Sequence, residues 1–324
     1  MYRDINFSLW CDFVERDFLS VEFKELLEKK AFNGATSNPA IFKSAFLNSS
    51  AYQEDRVKLK GTDSKKVYEN LAKKDISLAA DILKPLYDVD NDGFISIEVD
   101  PFLCDDAQAT INEGKRLFRE IGKDNVMIKI PATEAGYEAM EELISSGIHV
   151  NATLIFSPTQ AKKCVESFQR GSNKAEGSLP KAVISVFVSR LDSKLDDKLE
   201  ALKLPVAKAG IYNAIKIYDL IESYNLSNVR TLFASTGVKR DDLDADYYIK
   251  ELLFRNSVNT APLGTIKEFL KSNSAKEITL TQDYVEYFQK LEENNIDMQS
   301  IYNELMKEGL VSFKDAFNQI LKEL

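Results

Sequence analysis

The chain has 324 residues, 42 Lys and Arg against 51 Asp and Glu, a formal net charge of −9 and a pI near 5.0. That balance argues against a general nucleic-acid-binding or anionic-membrane surface, while leaving room for a small phosphorylated ligand in one cationic pocket. With 44% hydrophobic and 29% charged residues the composition is that of a globular protein; the length suits either two domains of roughly 150 residues or one α/β barrel of about 250 residues with extra helices.

The N-terminus, "MYRDINFSLWCDF", lacks a basic segment leading into a long apolar run, so no signal peptide is expected. Strands are expected at 7–12, 32–37, 94–99, 126–130, 150–155, 183–188, 231–235 and 257–260, with helical patterns between them. Residues 51–87 read as helical. "DAQATINEGKRLFREIG" spaces Ala107, Ile111, Phe118 and Ile121 on one face, opens after Asp105 and Asp106, and stops at Gly122. "RLDSKLDDKLEAL" repeats leucine at 191, 195, 199 and 202, expected to be core packing, and "VAKAGIYNAIKIYDLIESYN" carries Ile211, Ile215, Tyr218 and Leu220 or Ile221. Residues 265–324 read as helical too. Two loop-like stretches, 172–180 and 235–246, are too short to force a domain boundary, so a single domain spanning 1–324 is expected, with the C-terminal helices packed on it. No apolar run approaches the roughly 20 residues needed to span a membrane. Cys11, Cys104 and Cys164 are widely spaced without a CxxC, which predicts free thiols in a reducing, cytoplasmic setting.

Eight strands alternating with helices predict the α/β class and a closed (βα)8 TIM barrel with additional helices. A doubly wound open sheet is the alternative, but no GxGxxG follows the first strand. Side chains alternate along a strand. On "FSLWCD", "FISIEV", "VMIKI", "VNATLI" and "VISVFV" this puts one wholly apolar set on one face: Phe7, Leu9, Cys11; Ile95, Ile97, Val99; Val126, Ile128, Ile130; Val150, Ala152, Leu154; Ile184, Val186, Val188. The other face carries polar groups towards the C-terminal end of each strand, where barrel active sites sit. Lys129 would then point into the barrel mouth among Asp12, Glu98, Asn151, Thr153 and Ser185. A buried lysine there reads either as a neutral amine that attacks carbonyls or as half of an ion pair tying strands together; the residues alone leave both open.

The blocks "LWCDF", "GATSNPAIF", "ISIEVDP", "VMIKIPAT", "VNATLIFS", "SVFVSR", "FASTGVK" and "VNTAP", in that order, resemble transaldolases, class I aldolase-type barrels of the pentose phosphate pathway. The resemblance implies transfer of a dihydroxyacetone unit between sugar phosphates without a cofactor. It assigns the Schiff-base lysine to Lys129, the general acid/base to Asp12, and the group that holds a catalytic water to Glu98 with Thr153. Asn38, Asn151 and Ser185 match groups that hold the dihydroxyacetone hydroxyls, and Arg190 and Ser235 match phosphate binders. Some members place a second arginine two residues after that serine; here the position is Gly237, and Lys239 is the cation available instead. Val186 stands where many members have proline. Fructose-6-phosphate aldolases share the barrel and the lysine, but the resemblance gives them a tyrosine where this chain has Phe187. Members occur as monomers, dimers and larger rings, so a homo-oligomer is compatible with the resemblance.

A different class of function is suggested by "DVDNDGFISIEV" (88–99), which resembles a calcium-binding EF-hand loop at Asp88, Asp90, Asp92, Gly93 and Ile95. Such a loop needs a bidentate glutamate at its twelfth position, but Glu98 is eleventh and Val99 twelfth, so a turn into a strand is the expected structure. His149 is the only histidine, which leaves neither a multi-histidine metal site nor a Ser-His-Asp relay in prospect. It sits just before an expected strand and reads as a packed or capping residue. "GSNKAEG" lacks the P-loop spacing.

Overall fold

Eight parallel strands close into a barrel in sequence order in the computed structural model, which describes residues 3–272 and 276–324. The first two residues of the N-terminal stretch, and 273–275 within the expected C-terminal helical region, lie outside the described residues. The strands are β1 (Ser8–Cys11), β2 (Gly34–Ala35), β3 (Ile95–Glu98), β4 (Val126–Pro131), β5 (His149–Ile155), β6 (Ala182–Phe187), β7 (Val229–Ala234) and β8 (Ser257–Ala261). The helices are α1 (Arg16–Ser20), α2 (Glu22–Glu28), α3 (Pro39–Asn48), α4 (Gln53–Lys58), α5 (Ser64–Tyr87), α6 (Ala107–Ile121), α7 (Glu134–Ser145), α8 (Pro158–Ser172), α9 (Ser189–Ala201), α10 (Ala209–Ser223), α11 (Tyr247–Glu251), α12 (Leu263–Lys271), α13 (Asp283–Glu293) and α14 (Met298–Glu323). The alternation expected from the sequence is therefore the architecture. No described helix is long and apolar enough to cross a membrane.

Local chemistry explains the boundaries. Asp106 caps α6 by accepting from the Ala109 amide, and Gly122 ends the helix with φ 65°, a left-handed conformation glycine adopts without penalty. Ser157 and Gln160 form a reciprocal capping box at the start of α8, followed by Pro158 at its first position. Two expected helical stretches are broken: 51–87 is interrupted between α4 and α5, and the C-terminal region resolves into α12, α13 and α14 with non-helical 276–282 and 294–297. Expected strand 32–37 contracts to Gly34–Ala35. Leu202, expected in the core with Leu191, Leu195 and Leu199, is instead 40% exposed because it follows the last turn of α9.

The two strand faces make two cores. Leu9, Cys11, Ile95, Ile97, Ile128, Ile130, Val150, Ile184 and Val186 pack outward under the helices. Trp10, Phe94, Met127, Val183, Leu232 and Val258 fill the inside of the barrel. Each fully buried aliphatic side chain of the outward face contributes about 1.5–3 kcal/mol towards holding the helix layer. Leu154 departs from the expected alternation. It belongs to the interior core, not the outward face. Between Ala152 and Ile155 the β5–β6 register shifts, three steps on β5 matching two on β6, and Leu154 adopts φ 60° within this bulge.

The "DVDNDG" segment is the turn from α5 into β3. Asp90 and Asp92 are both left-handed, at φ 51° and 58°, which short polar side chains tolerate best after glycine. Asp92 accepts from Trp10 Nε1 at 2.7 Å and from Arg230 Nη2 at 2.5 Å, and the chain runs on into a strand rather than an exiting helix. The EF-hand geometry is thus not formed.

Candidate active site

The register brings the charged residues together. Glu98 pairs with Lys129 across β3–β4, and Lys129 with Asn151 across β4–β5, so three inward side chains stand side by side near the C-terminal ends of their strands. Lys129 is 5% exposed. Its Nζ donates to the Ser37 carbonyl at 3.1 Å and lies 3.9 Å from Glu98 Oε2. The Phe313 ring of α14 sits above it, 6.0 Å from Nζ to the ring centre. The ammonium is therefore enclosed, with one carbonyl, one distant carboxylate and one aromatic face around it.

Glu98 is buried, and neither of its carboxylate oxygens accepts a hydrogen bond from the described residues. Burial pushes its pKa up to about 7, against the opposing pull of Lys129. Thr153, fully buried, has a hydroxyl that also lacks a protein partner. Buried polar atoms are normally paired, so these two side chains keep capacity for something other than protein. Asp12, just past β1, retains some solvent contact but is stripped of enough water to raise its pKa; Lys129 and a hydrogen bond from Thr36 act in the opposite direction. Thr36 Oγ1 donates to Asp12 Oδ1 at 2.6 Å and meets Thr260 Oγ1, also at 2.6 Å. With one proton per hydroxyl, Thr260 is left to donate to Thr36.

A neutral chain lies beside this charged group. Ser185 Oγ donates to Asn151 Oδ1 at 2.7 Å, and Asn151 Nδ2 donates to Ser96 Oγ at 3.1 Å. Asn38 has its Oδ1 committed to capping α3 through the Ile41 amide at 3.0 Å, which leaves its amide NH2 as the free donor end. Phe187 is buried against Phe156 and carries the Arg190 guanidinium 5.3 Å above its ring centre. Arg190 forms no ion pair within contact distance among the described residues, and burial lowers its pKa against the opposing pull of Glu308. Ser235, at φ 55°, meets Ser189 Oγ at 3.0 Å beside the start of α9. Lys239 is exposed on the segment after β7.

Sequence reasoning passed over Thr36, Ser37, Ser96, Thr260 and Phe313. Thr36 and Ser37 lay inside the quoted "GATSNPAIF" block, and Ser96 on the polar face of its strand. Phe313 had no such signal, because only the folded path of α14 brings it over the barrel. His149 is a packing residue: Nδ1 accepts from the Lys181 amide at 2.8 Å, the ring packs on Phe94, and burial lowers its pKa to about 4. All three cysteines are buried and unpaired.

The family model for transaldolase/fructose-6-phosphate aldolase matches residues 9–324. The chain belongs to this family. It is 50% identical over 330 residues to a transaldolase of Campylobacter jejuni subsp. jejuni strain 81-176, covering 98% of this chain and 99% of that protein. It is 46% identical over 319 residues to a transaldolase of Helicobacter pylori strain ATCC 700392 / 26695, covering 98% of both chains. The family thus supplies a sugar-phosphate context for the enclosed lysine, the two carboxyl groups of raised pKa and the unpaired arginine.

Proposed function

We propose that the protein is a cytoplasmic transaldolase that moves a dihydroxyacetone unit from sedoheptulose 7-phosphate or fructose 6-phosphate to glyceraldehyde 3-phosphate or erythrose 4-phosphate, through a Schiff base on Lys129 and without a cofactor. The observation that carries this reading is the enclosed Lys129 ammonium, 3.9 Å from a carboxylate whose pKa lies near 7. Such a carboxylate can accept the proton that the ammonium must lose before it attacks a carbonyl.

In this reading the Lys129 amine adds to the ketose C2 carbonyl, and the carbinolamine loses water as a proton arrives through Glu98. The resulting protonated imine is an electron sink. Asp12 takes the proton of the C4 hydroxyl while the C3–C4 bond breaks; the bonding pair moves towards the imine nitrogen, giving an enamine and a free aldose phosphate. A second aldose phosphate then reacts in the reverse sense, and Asp12 returns its proton to the new alkoxide. Hydrolysis of the imine, with Glu98 and Thr153 holding the water, frees Lys129. Asn38, Asn151 and Ser185 hold the hydroxyls of the three-carbon unit, and Arg190 with Ser235 the phosphate. Lys239 adds charge at the rim, where a second arginine would give a bidentate fork. A family member working as a free aldolase would release dihydroxyacetone; the buried phenyl ring of Phe187 offers no hydroxyl for that chemistry.

Borohydride trapping with fructose 6-phosphate, followed by peptide mapping, tests the assignment. The expected result is a three-carbon adduct on Lys129, absent in Lys129→Met. Labelling of a different lysine, or of none, overturns the assignment, and release of dihydroxyacetone at the rate of donor consumption points to the aldolase.

A further inference from the structure

Helix α14 carries a stripe at helical spacing: the buried Tyr302, Gly309, Phe313, Phe317 and Ile320, with the partly buried Met306 between the first two. Its upper members all reach the end of β5 or the lysine next to it. Tyr302 OH donates to Asn213 Oδ1 at 2.8 Å, and Asn213 Nδ2 donates to the Phe156 carbonyl at 2.8 Å. Gln160 donates to the Leu154 carbonyl at 3.1 Å and reaches Met306 Sδ at 3.4 Å. Its Oε1 accepts from the Phe156 amide at 3.0 Å. Phe313 lies over Lys129. Between these contacts, at Gly309, the helix has no side chain.

A glycine in the middle of a helix is costly relative to alanine, so its presence calls for a reason. Here the reason is proximity. A Cβ at position 309 would stand 2.9 Å from Leu154 Cδ2, closer than such atoms approach. Leu154 is fully buried, so its δ-methyl can yield only by repacking against its neighbours. It is also the left-handed residue of the β5 bulge, a conformation that a leucine holds only when its surroundings impose it. The residue before it is Thr153, whose buried hydroxyl has no hydrogen-bond partner among the described residues.

We propose that Gly309 is a positioning residue for the reaction. Its missing side chain lets α14 rest directly on Leu154; that contact holds the bulge, and with it Thr153, while seating Phe313 over Lys129. The proposal rests on the transaldolase reading, in which Thr153 and Lys129 act on the substrate.

The test compares Gly309→Ala, Leu154→Ala and the double variant with the wild-type protein. The readouts are kcat, KM for the acceptor phosphate, the rate of borohydride-trapped adduct formation and the thermal midpoint. Gly309→Ala is expected to lower kcat and the adduct rate about ten- to a hundredfold, the scale of a small misplacement of reacting groups. The acceptor KM should change little; helix propensity and crowding against Leu154 act in opposite directions on the thermal midpoint, so kcat is read at a temperature where every variant is folded. Removing the Leu154 branch makes room for the new methyl, so the double variant should recover most of the loss relative to Leu154→Ala. Wild-type kcat in Gly309→Ala overturns the proposal. So does a loss that comes with a lowered midpoint and no recovery in the double variant, which marks a merely structural role. Should the wild-type protein itself form no adduct, the reaction assignment fails instead, and a missing effect of Gly309→Ala on a working enzyme is a separate result.

Discussion

The barrel holds ionic groups at both ends of its interior, and the two ends are built differently. At the N-terminal end, Asp92 accepts from Trp10 and Arg230, and Arg230 also reaches Ser8 Oγ at 3.3 Å. At the C-terminal mouth, among the described residues, Glu98 has no hydrogen bond to protein and Lys129 has one, and the two stand 3.9 Å apart. The inward-facing Trp10, Met127, Leu232 and Val258 lie between the two ends. A fully paired carboxylate is a fastener; a buried carboxylate left without donors is a reagent held ready, at some expense in stability. The same residue types therefore do opposite work, and substitution at the two ends should separate activity from stability.

The largest expected effect lies at the mouth. Asp12→Asn keeps the shape of the side chain and its contact with Thr36, yet cannot carry the proton of the C4 hydroxyl. Its kcat should fall by about 10²–10⁴, the usual contribution of a positioned acid/base group. Donor-dependent trapping on Lys129 should survive, since imine formation precedes the step that Asp12 serves. Stopped assays with coupled detection of the aldose phosphate measure the first quantity, and borohydride labelling the second. Loss of both together would place Asp12 earlier in the sequence of steps.

The sequence disclosed this comparison unevenly. Strand parity placed Asp12, Glu98, Lys129, Asn151 and Ser185 on one face, because alternation is a property of the backbone that single residues report directly. The parity rule failed at Leu154, where the bulge inserts a residue and turns it inward. The groups beside that bulge, Gln160 on its carbonyl and amide and Gly309 of α14 packed on Leu154, are remote from one another in the chain, so no local pattern announces it. Thr36 and Thr260 were equally hidden, since their value lies in one hydrogen-bond chain across β1, β2 and β8. At the N-terminal end, the turn expected at the acidic run is formed; what a linear reading does not see is that Asp92 finds partners in β1 and β7.

At that end the reverse dissociation is expected. Asp92→Ala leaves Arg230 and the Trp10 indole without their acceptor in a barrel where both groups are largely enclosed; the pair's side chains are 13% and 12% exposed. Removing one partner of such a buried pair should cost about 3 kcal/mol. Denaturant unfolding measures this as a lower midpoint at an unchanged slope. The folded enzyme should keep kcat and the acceptor KM close to wild type at 25 °C. A large loss of kcat without a loss of stability would mean that the two ends are coupled through the apolar plug.

The smallest effect is the most diagnostic of the contrast, because it predicts that the carboxylate proposed to act in catalysis opposes folding. In the folded protein the Glu98 pKa is raised to about 7 from an ordinary value of 4.5, so the folded state binds this proton more tightly than the unfolded chain does. The associated stability is present below the unfolded pKa and is lost as pH rises through the folded one. At pH 8 the ionised carboxylate should therefore cost roughly 3 kcal/mol relative to pH 4. Glu98→Gln removes the charge at every pH. Its thermal midpoint should exceed that of wild type by about 4 °C at pH 8, given the unfolding entropy of a chain of this size, and the difference should shrink towards zero near pH 4. Its kcat should fall, and the limb of the wild-type pH–rate profile near 7 should disappear. Thermal scans across that pH range decide the matter: a variant that is less stable than wild type at pH 8 would show that Glu98 is held by its lysine as a structural ion pair, like the pair at the other end of the barrel.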